Sequence, residues 1–198
     1  EIQGESLGID VDIFNEKGES VGANHKGELV IKNPFPTIPI KFWNDVNNKK
    51  LKKAYFSKYK NIWYHGDFIQ KTQNGGFIML GRSDTTLNPG GVRMGTAEIY
   101  RQVENIEFVR ESLVVGQNWK DDVRIILFVV METKKKLGVK EINFIKSKIK
   151  DNCSPKHVPH KIIEIPEIPR TKSGKIVELA VKKAIHGENI ENLEALSN

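Results

Sequence analysis

The sequence predicts an α+β protein in two parts: an antiparallel, β-rich first segment, then a small α+β domain with one short sheet and flanking helices. Three observations carry that expectation. Apolar and polar residues alternate over Ile9–Ile13, the period of a half-buried strand, and Gly27–Lys32, Asn61–Lys71 and Phe77–Gly81 read as further strands. Asn74-Gly75 lies between two such runs, a strong hairpin signal. After Arg82 the pattern changes to strands interleaved with helical periodicity, the order of a sheet backed by helices.

In the first part, Ile9, Val11 and Ile13 alternate with Asp10 and Asp12, and Asn15 to Gly18 reads as a turn. A second strand over Gly27–Lys32 ends at the prolines 34, 36 and 39. Phe42-Trp43-Asn44-Asp45 is expected to be a loop held by aromatic anchors, followed by a lysine-rich helix over Leu51–Tyr59. Asn61–Lys71 and Phe77–Gly81 complete the antiparallel part, and the domain boundary falls at Arg82–Asp84, giving parts 1–83 and 84–198.

In the second part, Asp84–Arg93 is polar and rich in Gly and Pro. Thr96 is the expected cap of a helix with Ile99, Val103 and Ile106 on one face. Two apolar strands follow, Leu113–Gly116 and Val123–Met131, then a helix over Val139–Asn152 with Ile142, Ile145 and Ile149 at spacings of three and four. His160–Ile165 reads as a third strand, Pro169–Lys175 as a loop, and the last helix presents Val177, Val181, Ala184 and Ile185.

With 198 residues, 38% hydrophobic and 28% charged, the chain can bury a real core as one large domain or two small ones. No apolar run approaches the ~18 residues that span a bilayer. The opening Glu1-Ile2-Gln3-Gly4 has no initiator Met and no signal-peptide pattern, which suggests an excerpt of a longer chain. One cysteine, Cys153, allows no internal disulfide, so a reducing cytoplasmic setting is expected. The net charge of +6 is local, concentrated at Lys49–Lys53, Lys134–Lys136 and Lys146–Lys150. Such runs are solvated faces or attract phosphorylated partners. Few aromatics interleave with them, against a single-stranded nucleic-acid platform.

Three motifs stand above this background. Pro169-Arg170-Thr171-Lys172-Ser173-Gly174-Lys175 gathers three cations on a loop that Gly174 can bend. It is not a P-loop, because Pro169 and Ile176 stand where that loop needs Gly and Ser or Thr. Gly81-Arg82-Ser83-Asp84 leads into Pro89-Gly90-Gly91-Val92-Arg93, more specific than a bland turn before a helix requires. In Tyr64-His65-Gly66-Asp67, an Asp at a strand end beside Gly can offer both carboxylate oxygens to a pair of hydroxyls, although turn capping is the ordinary alternative. His157-Val158-Pro159-His160 lacks the geometry of a helical zinc pair, so no metal site is expected there.

Together, and in this order, the three motifs resemble the adenylate-forming acyl-CoA synthetases over nearly the whole chain. Stretches such as Leu87–Arg93 and Ser173–Val181 are similar to the branch that acts on acetoacetate, and Glu178, where many members carry a basic residue, fits that branch. The resemblance implies a ligase using ATP (with Mg2+), coenzyme A and a small acid, with neither nucleic acid nor membrane as partner. Residues 1–83 would end the large adenylation domain, and 84–198 would be the mobile C-terminal domain. Lys175 would be the adenylation lysine, Asp67 and Arg82 the ribose contacts, and Arg93 a phosphate contact. Gly90 and Gly91 would let backbone approach the pantetheine, and Asp84 would be the hinge. The lysines around 146–150 would face coenzyme A phosphates. Other short-chain acyl-CoA synthetases and carrier-loading enzymes share these motifs, and a basic nucleic-acid-binding module is the rival from another class. The family's Gly/Ser/Thr-rich phosphate loop and its Tyr-Gly-x-Thr-Glu segment do not occur in these residues, nor does the acyl pocket, so this stretch alone is expected to be inactive.

Overall fold

The computed structural model describes residues 4–190 and 192–198, so the opening Glu1-Ile2-Gln3 lies outside the described residues. The chain divides into two compact units, residues 1–83 and 84–198.

The first unit is a four-stranded antiparallel sheet in the order β1-β2-β3-β4, from Val11–Phe14, Lys26–Ile31, Trp63–Lys71 and Phe77–Arg82. Its inward residues Ile13, Ile69 and Phe77 form the core, each worth about 1.5–3 kcal/mol when fully buried. The β3–β4 hairpin closes around Gly75, whose φ of 82° suits glycine. Helix α1 (Lys49–Tyr55) is held by Asp45, whose carboxylate accepts from Lys50 N and Leu51 N at 2.8 Å each. Tyr55 stacks on Trp63 with ring centroids 3.7 Å apart. Of the expected loop anchors only Phe42 packs, edge-on to Tyr55, whereas Trp43 is 96% exposed.

The second unit holds a three-stranded sheet in the order β5-β6-β7, from Val109–Trp119, Asp122–Met131 and Lys161–Glu164. β5 and β6 are antiparallel, and β6 and β7 parallel. Helices α2 (Thr96–Val103) and α3 (Val139–Asn152) cover one face, burying Ile99, Val103, Ile145 and Ile149 against Val114, Leu127 and Val129. On the other face Val181 and Ile185 of α4 (Glu178–Ile185) pack on Leu113, Val115, Ile126 and Val130. Burial on both faces explains why β6 reads as a continuous apolar run rather than an alternation.

The α+β class, with a short sheet and flanking helices, is as the sequence predicts. Four local expectations need correction. Gly95, not Thr96, caps α2, and its N–H donates to the Glu98 carboxylate at 2.8 Å. β5 runs well beyond Leu113–Gly116, because β6 pairs with it along its whole length and carries its polar ends. Asp67 lies inside β3 and not at its end, next to an irregularity between Phe68 and Ile69. Ala184 is exposed, which leaves Val181 and Ile185 as the anchors of α4.

Candidate functional site

In the first unit, β3 and β4 bring Asp67 and Arg82 into direct register, and Arg82 Nη1 lies 3.1 Å from Asp67 Oδ1. The same nitrogen donates to the His65 carbonyl at 3.3 Å. Asp67 Oδ2 lies 3.3 Å from His65 Nε2, while Trp63 Nε1–H donates to His65 Nδ1 at 3.1 Å. With Nδ1 accepting, the ring hydrogen sits on Nε2 and points at Asp67. Each carboxylate oxygen thus keeps lone-pair capacity for one more donor, so the pair can grip a diol while held rigid from behind. Gly66 makes the approach possible: its φ is 83°, and a Cβ there would sit 2.8 Å from Arg82 Nη2.

Behind this group lies a buried carboxylate that the motifs did not reveal. Glu28 on β2 is fully buried, pairs with Lys58 at 2.6 Å, and accepts a hydrogen bond from Ser83 Oγ. Its signal in the sequence was one acid inside the strand Gly27–Lys32, where solvent-facing and buried acids look alike.

In the second unit, Asp84 is exposed on a turn. Leu87 and Met94 exchange backbone hydrogen bonds of 2.9 Å, closing a loop that displays Asn88 to Arg93. Gly90 and Gly91 have φ of 58° and 74°, open to them without strain. Two side chains from elsewhere hold the loop. Asp122 accepts from Gly90 N at 2.8 Å, and Lys156 Nζ donates to Gly90 O at 3.2 Å. The N–H groups of Gly90 and Val123 hold the Asp122 carboxyl below the usual aspartate range. Arg93 is anchored by Nε to Thr86 Oγ1 at 3.1 Å. Beside the loop opens a cavity of about 380 Å³ lined by Pro89, Trp119, Arg124, Lys156 and His160. Arg124 lies 3.6 Å over the Trp119 ring. None of the α3 lysines lines it, and Lys148 instead donates to Asn105 O.

Lys175 projects from a small hairpin. Arg170 and Ile176 form an antiparallel bridge, Thr171 N donates to Lys175 O at 2.9 Å, and Lys175 N donates to Thr171 Oγ1 at 3.1 Å. Arg170 is spent on structure, with Nη2 on Glu111 at 2.7 Å and Nη1 on the Gly174 carbonyl. Leu196 and Ser197 pair with the outer side at Thr171 and Arg170. The backbone is therefore fixed while Lys175 itself stays exposed, the arrangement of a cation available to a ligand. Among the described residues no group of three or more His, Cys, Asp or Glu side chains is placed to hold a metal ion. No helix among them is long and apolar enough to cross a membrane.

Comparison with known proteins gives a consistent picture. No family model matches the chain. It is 52% identical over 198 residues to an acetoacetyl-coenzyme A synthetase of Rhizobium meliloti (strain 1021), covering 100% of this chain and 30% of that protein. Identity to an acetoacetyl-CoA synthetase of Xenopus tropicalis is 46% over 200 residues, again 30% of its length. Among solved structures, an acetoacetyl-CoA synthetase from Streptomyces lividans superposes with a TM-score of 0.91 at 38% identity, covering 99% of this chain and 30% of that one. An anthranilate CoA ligase with a TM-score of 0.78 and 19% identity shares the fold. The chain thus spans about 30% of the length of the relatives it matches.

Proposed function

We propose that this chain, which belongs with the acetoacetyl-CoA synthetases among the AMP-forming acyl-CoA synthetases, is the lysine-bearing portion of an acetoacetate–CoA ligase. The observation that carries the reading is the set of three motifs on fixed backbone, with Lys175 and Arg82 exposed and Asp67 held between Arg82 and His65, in a chain 52% identical to one such enzyme. In the first half-reaction a carboxylate oxygen attacks the α-phosphorus of ATP, and pyrophosphate leaves. In the second the coenzyme A thiolate attacks the acyl carbonyl, and AMP leaves.

Two anions meet in the first step, so a cation must bridge them. Lys175 supplies a compact three-donor charge from a hairpin that does not have to reorganise. Asp67 accepts the ribose hydroxyls, with Arg82 holding its carboxylate in place, and Arg93 pairs with phosphate as a forked donor. Mg2+ enters with ATP as part of the substrate. Asp84, first residue of the second unit, is the hinge on this reading. Gly90 and Gly91 present bare backbone to the pantetheine. The cavity next to them, lined by an Arg124–Trp119 stack with Lys120, Lys156 and His160 around Asp122, suits the nucleotide of coenzyme A better than the α3 lysines do. The lone cysteine supports a reducing, cytoplasmic setting.

The test is pyrophosphate release by the full-length synthetase with acetoacetate, acetate and a longer acid, for wild type and Lys175→Ala. Preference for acetoacetate and a loss of about 10²–10³ in release, with supplied acetoacetyl-adenylate still converted, supports both assignments. Normal release by Lys175→Ala sinks the lysine assignment.

A further inference from the structure

Helix α4 follows the lysine hairpin directly, so where α4 begins decides where Lys175 stands. Its apolar packing is thin. None of its residues is fully buried, and only Val181 and Ile185 reach the cluster on that face. An eight-residue helix with two half-buried anchors is marginal alone.

Polar contacts at the sheet edge supply the rest. β5 is an edge strand, and N–H groups on its outer side have no neighbouring strand to pair with. Val114 N donates to the Tyr100 hydroxyl at 3.0 Å, and Tyr100 donates its own hydrogen to Glu178 Oε1 at 2.5 Å. Asn118 N donates to His186 Nε2 at 2.8 Å, at the other end of α4. Tyr100 belongs to α2 on one face of the sheet, and Glu178 is the first residue of α4 on the other. The hydrogen-bond chain therefore wraps the edge and ties the helix after the glycine loop to the helix after the lysine hairpin. Burial, with the Glu178 carboxylate adding to it, pushes the Tyr100 hydroxyl well above its ordinary range, so it remains a donor.

We propose that Tyr100 and Glu178 are positioning residues that fix the start of α4, and through it Lys175, for the adenylation half-reaction. The proposal rests on the ligase reading above. Tyr100→Phe removes the donor and orphans Val114 N, Glu178→Leu removes the acceptor, and Glu178→Gln keeps an acceptor oxygen. In the full-length synthetase, each is assayed for pyrophosphate release and for thioester formation from supplied acetoacetyl-adenylate, well below its unfolding midpoint. Tyr100→Phe and Glu178→Leu are expected to slow pyrophosphate release about tenfold, with ATP KM and the thioester step unchanged. Glu178→Gln is expected to stay near wild type, and the double variant Tyr100→Phe/Glu178→Leu to be no slower than the worse single one. Equal slowing of both half-reactions, or undiminished release by Tyr100→Phe, overturns the proposal. Lys175→Ala, run alongside, separates the two failures: if it too releases pyrophosphate normally, the ligase reading of this loop is what fails.

Discussion

Glu28 and Lys58, thirty positions apart in the chain, meet at 2.6 Å with the Glu28 side chain shut away from solvent and Lys58 partly exposed. The second Glu28 oxygen takes the hydroxyl of Ser83, whose N–H donates to the Gly66 carbonyl at 3.0 Å. One buried acid thus links β2, the segment after α1, and the end of β4, where Arg82 leaves the sheet.

Removing that acid leaves Ser83 and Lys58 without their shared acceptor. Breaking a buried pair costs about 3–5 kcal/mol, and Lys58, at 36% side-chain exposure, recovers part of that from water. Glu28→Ala is therefore expected to destabilise the first unit by roughly 2–4 kcal/mol. Denaturant titration of the full-length protein, read by hydrogen exchange in β2 and β3, measures it. A loss under about 0.5 kcal/mol, the ordinary surface range, contradicts the assignment.

The same pair has a pH signature. Burial works to lower the Lys58 pKa, but the Glu28 hydrogen bond and charge outweigh it and hold the ammonium above its ordinary value. A raised lysine pKa means its contribution to stability is complete below the unfolded value of about 10.4 and is lost as pH rises through the higher folded value. The stability of the first unit, read by denaturant titration at each pH, should therefore show no loss from this pair between neutrality and about pH 10 and lose its contribution only above it. A loss that begins near pH 8 would count against the pair.

Gly66 keeps Arg82 against Asp67. An alanine there combines a left-handed φ of 83° with a Cβ 2.8 Å from the guanidinium, and the flexible arginine will give way first. Gly66→Ala is expected to cost about 1–2 kcal/mol of stability. On the proposed ribose role of Asp67 it should also raise the KM for ATP about tenfold, the equivalent of one displaced ion pair. Steady-state kinetics on ATP measure this, and an unchanged KM argues that Asp67 does not hold the nucleotide.

Asp122 holds the glycine loop from outside the motif. On the proposed pantetheine role of the Gly90–Gly91 loop, Asp122→Ala is expected to slow the thioester step several-fold and leave pyrophosphate release intact, since only that loop loses its hold. Hydrogen bonds from Gly90 and Val123 lower the Asp122 pKa, so the clamp is complete above the ordinary aspartate value of about 3.9 and is released only below it. Rates of the second half-reaction should show no inflection from this group at neutral pH. Equal loss in both half-reactions would make Asp122 a general stability residue.

The cavity by the glycine loop makes a separate prediction about coenzyme A. Arg124→Ala and Lys156→Ala are each expected to raise its KM about five- to tenfold at constant ATP KM. The same change at Lys146 should do nothing measurable. If only the α3 variant matters, the cavity is not the coenzyme A site.

The sequence by itself determined the α+β order of the elements and marked the residues proposed to carry the chemistry. Alternation located the strand at Ile13, the Asn74-Gly75 turn the strand at Ile69, a continuous apolar run the strand at Leu127, and helical spacing the helices at Ile99 and Ile145. The motifs marked Lys175, Asp67, Arg82, Arg93 and the Gly90–Gly91 pair, since glycines and cations at fixed spacing leave a local signature. What only the tertiary structure decided is which distant side chain completes each of those groups. His65 and Trp63 behind Asp67 are near in sequence, but Glu28 with Ser83, Asp122 and Lys156 with Gly90, and Tyr100 with Glu178 are separated by 32 to 78 residues. A charge in a strand or a tyrosine on a helix has the same local pattern whether it faces water or a partner. Its role is set by which surfaces the sheet brings together, and that is a property of packing over long range.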